Sequence, residues 1–132
     1  MARPTSALIV DDEAHVRLFL RLLLGELGIT TTWQAPDGET ALALVADHQP
    51  GLVLLDVNMP GWTGVETLGK LKAAQPDLPV VMVSSENAMS TVREAARLGA
   101  SGYILKQVAK DEARESLRDI LDALDGEESE PA

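Results

Sequence analysis

The 132-residue sequence contains no cysteine, few aromatic residues and no long apolar segment. Without cysteine, the chain forms neither disulfide bonds nor thiolate metal sites. No apolar run approaches the roughly 18 residues that a membrane-spanning helix needs. The N-terminal stretch MARPTSALIV runs directly into acidic residues and lacks the form of a signal peptide. We therefore expect a cytoplasmic protein that does not insert into a membrane.

Positive charge is also scarce. The chain has 11 lysine and arginine residues against 21 aspartate and glutamate residues, for a formal net charge of −10. Nucleic acid is an unexpected partner for such a chain, because binding its phosphates requires a basic surface. Residues 125–132 form an acidic end with nothing to bury, for which we expect disorder. Residues 1–124 have the length of one domain, and the 45% apolar content is enough for one core.

Five short apolar runs alternate with amphipathic segments along the chain. The runs cover residues 6–10, 30–34, 52–55, 79–83 and 102–105. The periodicity between and after them predicts helices over residues 13–27, 37–48, 63–74, 88–98 and 110–124. Strict alternation of this kind predicts an α/β fold with a doubly wound, five-stranded parallel sheet and five helices. We predict the flavodoxin-like strand order 2-1-3-4-5.

Polar residues follow four of the predicted strands. Asp11 and Asp12 come after the first, Asp56 after the third, Ser84 after the fourth and Lys106 after the fifth. The carboxyl ends of parallel strands share one edge of the sheet, and the first and third strands are neighbours in the predicted order. Three adjacent carboxylates repel one another, so we expect a divalent cation, and oxygen ligands suit Mg²⁺. With Lys106 and Ser84 nearby, the edge has the groups that bind a phosphoryl group.

The motifs resemble those of a known family. They are the Asp11-Asp12 pair, DVNMPG at residues 56–61, VMVSSE at 81–86 and GASGYILK at 99–106. Over residues 6–124 the chain resembles a response-regulator receiver domain of the stand-alone chemotaxis type. The resemblance implies that Asp56 accepts a phosphoryl group from a histidine kinase or histidine phosphotransfer protein. It also implies that Asp12, Asp56 and the Asn58 carbonyl bind Mg²⁺, with Asp11 acting largely through water.

The resemblance assigns further roles and shows one departure. Ser84 and Tyr103 would form a switch pair that alters binding of a downstream target protein, and Lys106 would hold a phosphoryl oxygen. Receivers usually carry proline after this lysine, whereas this chain has Gln107 on the usual output surface. A cis bond before a residue other than proline costs about 3–4 kcal/mol, so we predict a trans Lys106–Gln107 bond. Ala109 also lacks the side-chain cap that is common before the last helix.

Two surface features have more than one interpretation. Leu18 and Leu22 lie on the polar side of the first predicted helix, next to Arg17 and Arg21. They are either isolated exposed leucines, which are common, or a contact surface for a partner protein or a weak homodimer. Trp62, in the loop after Asp56, either contacts a partner or packs within the loop.

Two other functional classes also remain open. A Mg²⁺-dependent phosphohydrolase of the aspartyl-nucleophile type usually has a second acid two residues after the nucleophile, where this chain has Asn58. A receiver-like docking module that works without phosphorylation would normally have lost one of the essential groups, and all are present. We therefore expect a phosphoacceptor switch rather than an enzyme, with only self-directed phosphotransfer and autodephosphorylation. For a chain of this length that is not a fragment, we expect no DNA-binding output domain.

Overall fold

Five β–α units follow one another in the computed structural model, which describes residues 3–85, 89–106 and 109–126. All strands are parallel, in the order β2-β1-β3-β4-β5, so the predicted flavodoxin-like topology is confirmed. In chain order the elements are β1 (Ser6–Val10), α1 (Ala14–Glu26), β2 (Thr31–Ala35), α2 (Gly38–His48), β3 (Val53–Asp56), α3 (Gly64–Ala74), β4 (Val80–Ser84), α4 (Met89–Arg97), β5 (Gly102–Leu105) and α5 (Lys110–Gly126).

The element bounds differ from the predicted ones by one or two residues. Strands β2, β3 and β4 each begin and end one residue later than the apolar runs indicated. Helix α5 continues to Gly126, two residues beyond the predicted end at Leu124. Leu124 is the last apolar residue of that helix, so the hydrophobic pattern ends there while the backbone hydrogen bonding continues.

Both faces of the sheet are covered by helices. Side chains alternate between the faces along each strand, so Leu54 packs under α1 and α5 while Leu55 packs under α2 and α3. All four residues of β3 are buried, which explains why this central strand has an apolar run instead of an alternating pattern. Within the described ranges, no helix combines the length and apolar composition needed to cross a membrane.

Two helix starts next to the carboxyl edge of the sheet are fixed by side-chain caps. The Thr63 hydroxyl accepts a hydrogen bond from the Glu66 N–H, and the Glu66 carboxylate accepts one from the Thr63 N–H, both at 3.1 Å. These two reciprocal hydrogen bonds form a capping box at the start of α3. Asp37 accepts a hydrogen bond from the Thr40 N–H at 2.8 Å and thereby caps α2.

Candidate functional site

The strand-end residues predicted from the sequence meet at one edge of the sheet. Asp11 follows β1, Asp56 ends β3, and β1 and β3 are paired neighbours. Asp56 is 3% exposed and Asp11 is fully buried, whereas Asp12 is exposed. One carboxylate oxygen from each of the three residues lies within 4.8 Å of the others. The three carboxylates therefore share a single pocket that opens to solvent on the side of Asp12.

Lys106 reaches this pocket from two strands away. Its backbone N–H donates to the Ser84 carbonyl at 2.8 Å, which fixes the end of β5 on β4. Two strand spacings amount to about 10 Å, a distance that the extended lysine side chain helps to bridge. Its Nζ atom lies 2.9 Å from Asp11 Oδ2 and 3.1 Å from Asp56 Oδ1. One ammonium group therefore bridges the two buried carboxylates.

The pocket contains more negative than positive charge, and the pKa values reflect this. Burial and the neighbouring charge of Asp11 raise the pKa of Asp56 from 3.8 to about 6, although Lys106 and the Asn58 N–H oppose the shift. Burial alone would lower the pKa of Lys106, but its interactions with Asp11 and Asp56 outweigh burial and raise that pKa. A proton or a metal cation is therefore bound more favourably here than at an isolated surface carboxylate.

The donor set suits a hard divalent cation. The Oδ1 atom of Asp11 accepts the Glu13 N–H at 2.9 Å. Its buried Oδ2 atom has the Lys106 ion pair but no hydrogen-bond partner among the described residues. Together with the oxygens of Asp12 and Asp56, this atom offers the all-oxygen environment that Mg²⁺ prefers, with waters completing its coordination. The residues present therefore fit a magnesium ion.

The start of α3 lies against the backbone of Asp56. The Gly64 N–H donates to the Val57 carbonyl at 2.8 Å. A Cβ atom at Gly64 would lie 2.1 Å from the Asp56 carbonyl oxygen, so only glycine fits at this position. Sequence reasoning missed this close approach, for which a glycine in the first turn of a helix was the available signal.

Arg17 is a second residue whose role sequence reasoning missed. Its Nη1 group donates to the Asp11 carbonyl at 2.7 Å, and its Nε group donates to the Gln34 side chain at 3.0 Å. The guanidinium group thus ties the loop after β1 to β2 and supports the backbone at Asp11. In the sequence, Arg17 stood out only as a neighbour of Leu18, and no local pattern indicated its contacts.

Ser84 and Tyr103 lie on neighbouring strands. Ser84 is fully buried at the end of β4, and Tyr103 pairs with Met82 in the β4–β5 register. Tyr103 is half-buried against the core. A cavity of about 210 Å³ lies beside it between α4 and β5, where alanine side chains at positions 95, 96 and 100 form much of the lining. The tyrosine ring therefore has open space next to it.

The remaining predicted surface residues are Leu18, Leu22, Trp62 and Gln107. Leu18 and Leu22 are 49% and 54% exposed on α1. Trp62 packs within the fold: Lys70 Nζ lies 4.6 Å from the centre of its ring, and a Cβ atom at Gly38 would lie 3.1 Å from its Cε3 atom. Gln107 lies outside the described residues, and so does the predicted trans bond that precedes it.

The sequence matches the family described as the response regulator receiver domain over residues 7–118. The chain belongs to this family. Receiver domains are signalling switches rather than classical enzymes, and this receiver domain has the strand-end carboxylates and the lysine gathered in one pocket.

Curated relatives and solved structures agree with this assignment. The receiver domain is 36% identical to the chemotaxis protein CheY of Pseudomonas aeruginosa over 121 residues, covering 90% of this chain and 98% of that protein. It is 32% identical to the sporulation initiation phosphotransferase F of Bacillus subtilis over 114 residues, covering 86% and 91% of the two chains. The structure of the Vibrio cholerae chemotaxis protein CheY4 superposes with a TM-score of 0.79 at 26% identity, covering 91% of this chain and 98% of that one.

Proposed function

We propose that this receiver domain accepts a phosphoryl group on Asp56 in a Mg²⁺-dependent reaction and thereby changes its binding to a downstream protein. The observation that carries the proposal is the position of Asp56. Its carboxylate is buried at a strand end, within ion-pair distance of Lys106 and within the same 4.8 Å cluster as Asp11 and Asp12. A carboxylate in these surroundings can act as a nucleophile toward phosphorus while cations neutralise the phosphoryl oxygens.

The transfer is a single displacement at phosphorus. An oxygen of ionised Asp56 attacks the phosphohistidine of a kinase or phosphotransfer protein, and a P–O bond forms as the P–N bond breaks. The donor imidazole leaves with the electron pair. Lys106 then binds a phosphoryl oxygen, since its ammonium group already contacts Asp56. Bound Mg²⁺, held by Asp12, Asp56 and the Asn58 carbonyl with Asp11 acting largely through water, would neutralise charge on the phosphoryl oxygens.

The switch that we propose connects Ser84 with Tyr103. A phosphoryl group on Asp56 would draw the Ser84 hydroxyl toward it, because a charge-assisted hydrogen bond replaces weaker contacts. Tyr103 would then turn inward into the space that Ser84 vacates, and the cavity between α4 and β5 gives its ring room to move. This is a population shift between two packing arrangements, and the free energy of the new hydrogen bonds limits its size.

We propose that proteins in the cytoplasm are the partners on both sides of the reaction. A net charge of −10 disfavours DNA as the output target. The exposed Leu18 and Leu22 on α1, next to Arg21, form an apolar surface that suits contact with a partner protein or with a second copy of the chain. Self-directed hydrolysis of the aspartyl phosphate would return the domain to its resting state.

The test is phosphorylation by acetyl phosphate, followed by intact-mass measurement. The wild-type protein should gain one phosphoryl group with Mg²⁺ and none with excess chelator. Asp56→Asn should gain none. Asp77→Asn, which changes an exposed aspartate in the loop before β4, serves as the matched control and should react like the wild type. A full mass gain in Asp56→Asn or in chelator would refute the proposal.

A further inference from the structure

Glu13 lies at the mouth of the pocket with a fixed backbone, and its Oε2 atom lies 3.7 Å from Nε2 of the exposed His15. Its N–H donates to Asp11 Oδ1 at 2.9 Å, and its carbonyl accepts from the Val16 and Arg17 N–H groups at 3.1 Å. Its side chain makes no capping hydrogen bond to α1 and is 52% exposed. The Oε1 atom lies 3.9 Å from Lys106 Nζ. Among the residues that the structure describes, Glu13 is thus the third carboxylate near this ammonium group, after those of Asp11 and Asp56.

The ammonium group of Lys106 contacts two of the three clustered carboxylates that would hold or surround a metal cation. It bridges Asp11 Oδ2 and Asp56 Oδ1 at 2.9 and 3.1 Å. A divalent cation held by Asp56 and Asp12, with Asp11 acting largely through water, would repel an ammonium group left beside it, because few water molecules separate charges in a buried pocket. The two cations therefore compete, and the ammonium group must move when Mg²⁺ binds.

We propose that Glu13 is a positioning residue that receives the Lys106 ammonium group when Mg²⁺ replaces it beside Asp11. The inference rests on the proposed function, since it assumes the metal site. Glu13 needs only a small side-chain rotation to meet Lys106, because the two groups are already 3.9 Å apart and the carboxylate is half exposed. This movement toward Glu13 keeps the Lys106 ammonium group paired with a carboxylate during metal binding. It also keeps that group close to Asp56, where an incoming phosphoryl group needs it.

The first experiment measures Mg²⁺ affinity of the unphosphorylated protein by calorimetry. Glu13→Gln should weaken binding about three- to fivefold, the effect of one partly exposed ion pair. Glu39→Gln is the matched control, because Glu39 is an exposed carboxylate in a cleft that it shares with Asp12. It removes the same charge near the metal ligands and should weaken binding less than about twofold, as expected for screened charges. Equal effects of the two substitutions would overturn the proposal.

A double-mutant cycle shows whether Glu13 acts through Lys106. Lys106→Met retains the length of the side chain and removes its charge. In this background Glu13→Gln should change Mg²⁺ affinity no more than Glu39→Gln does, and a full three- to fivefold loss would overturn the proposal. Glu13→Asp, which retains the charge on a shorter side chain, should restore part of the wild-type affinity. Wild-type protein that binds no Mg²⁺ would refute the metal site itself, and with it this inference.

Discussion

Replacing Asp56 by asparagine should stabilise the metal-free protein at neutral pH. The pKa of Asp56 is raised from 3.8 to about 6 by burial and by the charge of Asp11. The folded protein therefore binds the Asp56 proton more tightly than the unfolded chain does. Between about pH 4 and pH 6, the free energy of unfolding falls as pH rises, because the buried carboxylate loses its proton. Asparagine has a similar shape and carries no charge, so the variant avoids this loss.

The size of the effect follows from the pKa shift. A shift of one pKa unit corresponds to about 1.36 kcal/mol, so the change from 3.8 to about 6 corresponds to about 3 kcal/mol above pH 7. At about pH 5 the same linkage gives about 1.5 kcal/mol, since Asp56 is then mostly protonated in the folded state. The Asp56→Asn variant should therefore gain roughly twice as much stability at about pH 7.5 as at about pH 5.

Urea unfolding, followed by far-UV circular dichroism in the presence of chelator, measures this difference. Asp77→Asn is the control, because Asp77 is exposed at the opposite edge of the sheet. The free energy of unfolding of this variant should equal that of the wild type at both pH values. Mg²⁺ should then stabilise the wild type more than Asp56→Asn, because it binds the folded carboxylates. Asp56→Asn that is no more stable than the wild type near pH 7.5 would show that Lys106 fully compensates the buried charge, contrary to this reasoning.

Three further predictions test other parts of the structure. Ser84→Ala should still accept a phosphoryl group but lose the phosphorylation-dependent part of partner binding; an unchanged binding response, measured with a captured partner, would contradict the proposed switch. Leu18→Glu with Leu22→Glu should lower the mass measured by light scattering at high concentration if α1 forms a dimer, and an unchanged mass would leave only a partner protein for this surface. Gly64→Ala should destabilise the fold by about 2 kcal/mol or more, because the new Cβ atom would meet the Asp56 carbonyl oxygen. Gly69→Ala lies on the same helix with open space around it and should instead stabilise by about 0.5–1 kcal/mol; similar unfolding curves for the two alanine variants would rule out the steric argument.

The sheet topology could be predicted because several independent signals agree. The apolar run of β3 has no alternation, which is characteristic of a strand covered on both faces, and the structure buries all four of its residues. Parallel strands then place Asp11, Asp56, Ser84 and Lys106 at one edge whatever the details of packing. The predicted ends of the elements were less accurate, and α5 ends two residues later than predicted. Apolar periodicity indicates which residues are buried, but it does not indicate where the backbone hydrogen bonding ends.

Contacts that depend on side-chain direction could not be predicted from spacing. The sequence shows Arg17 and Glu13 as polar residues near the start of a helix, with nothing to indicate that one donates to the Asp11 carbonyl and the other lies near Lys106. Both contacts depend on how the loop after β1 turns. The role of Trp62 was open for the same reason, and the cation–π contact with Lys70 accounts for its packing against α3.

The instability of the pocket and its proposed chemistry have the same physical origin. The burial of Asp56, and then the charge of Asp11 beside it, raise the pKa of Asp56 and lower the stability of the folded protein near neutral pH. Lys106 pairs with both carboxylates but leaves an excess of negative charge. The same excess charge favours a divalent cation, and a bound cation in turn makes the approach of an anionic phosphoryl group electrostatically acceptable. A substitution that relieves the repulsion should therefore raise stability and reduce phosphorylation together, and Asp56→Asn measures both effects in one protein.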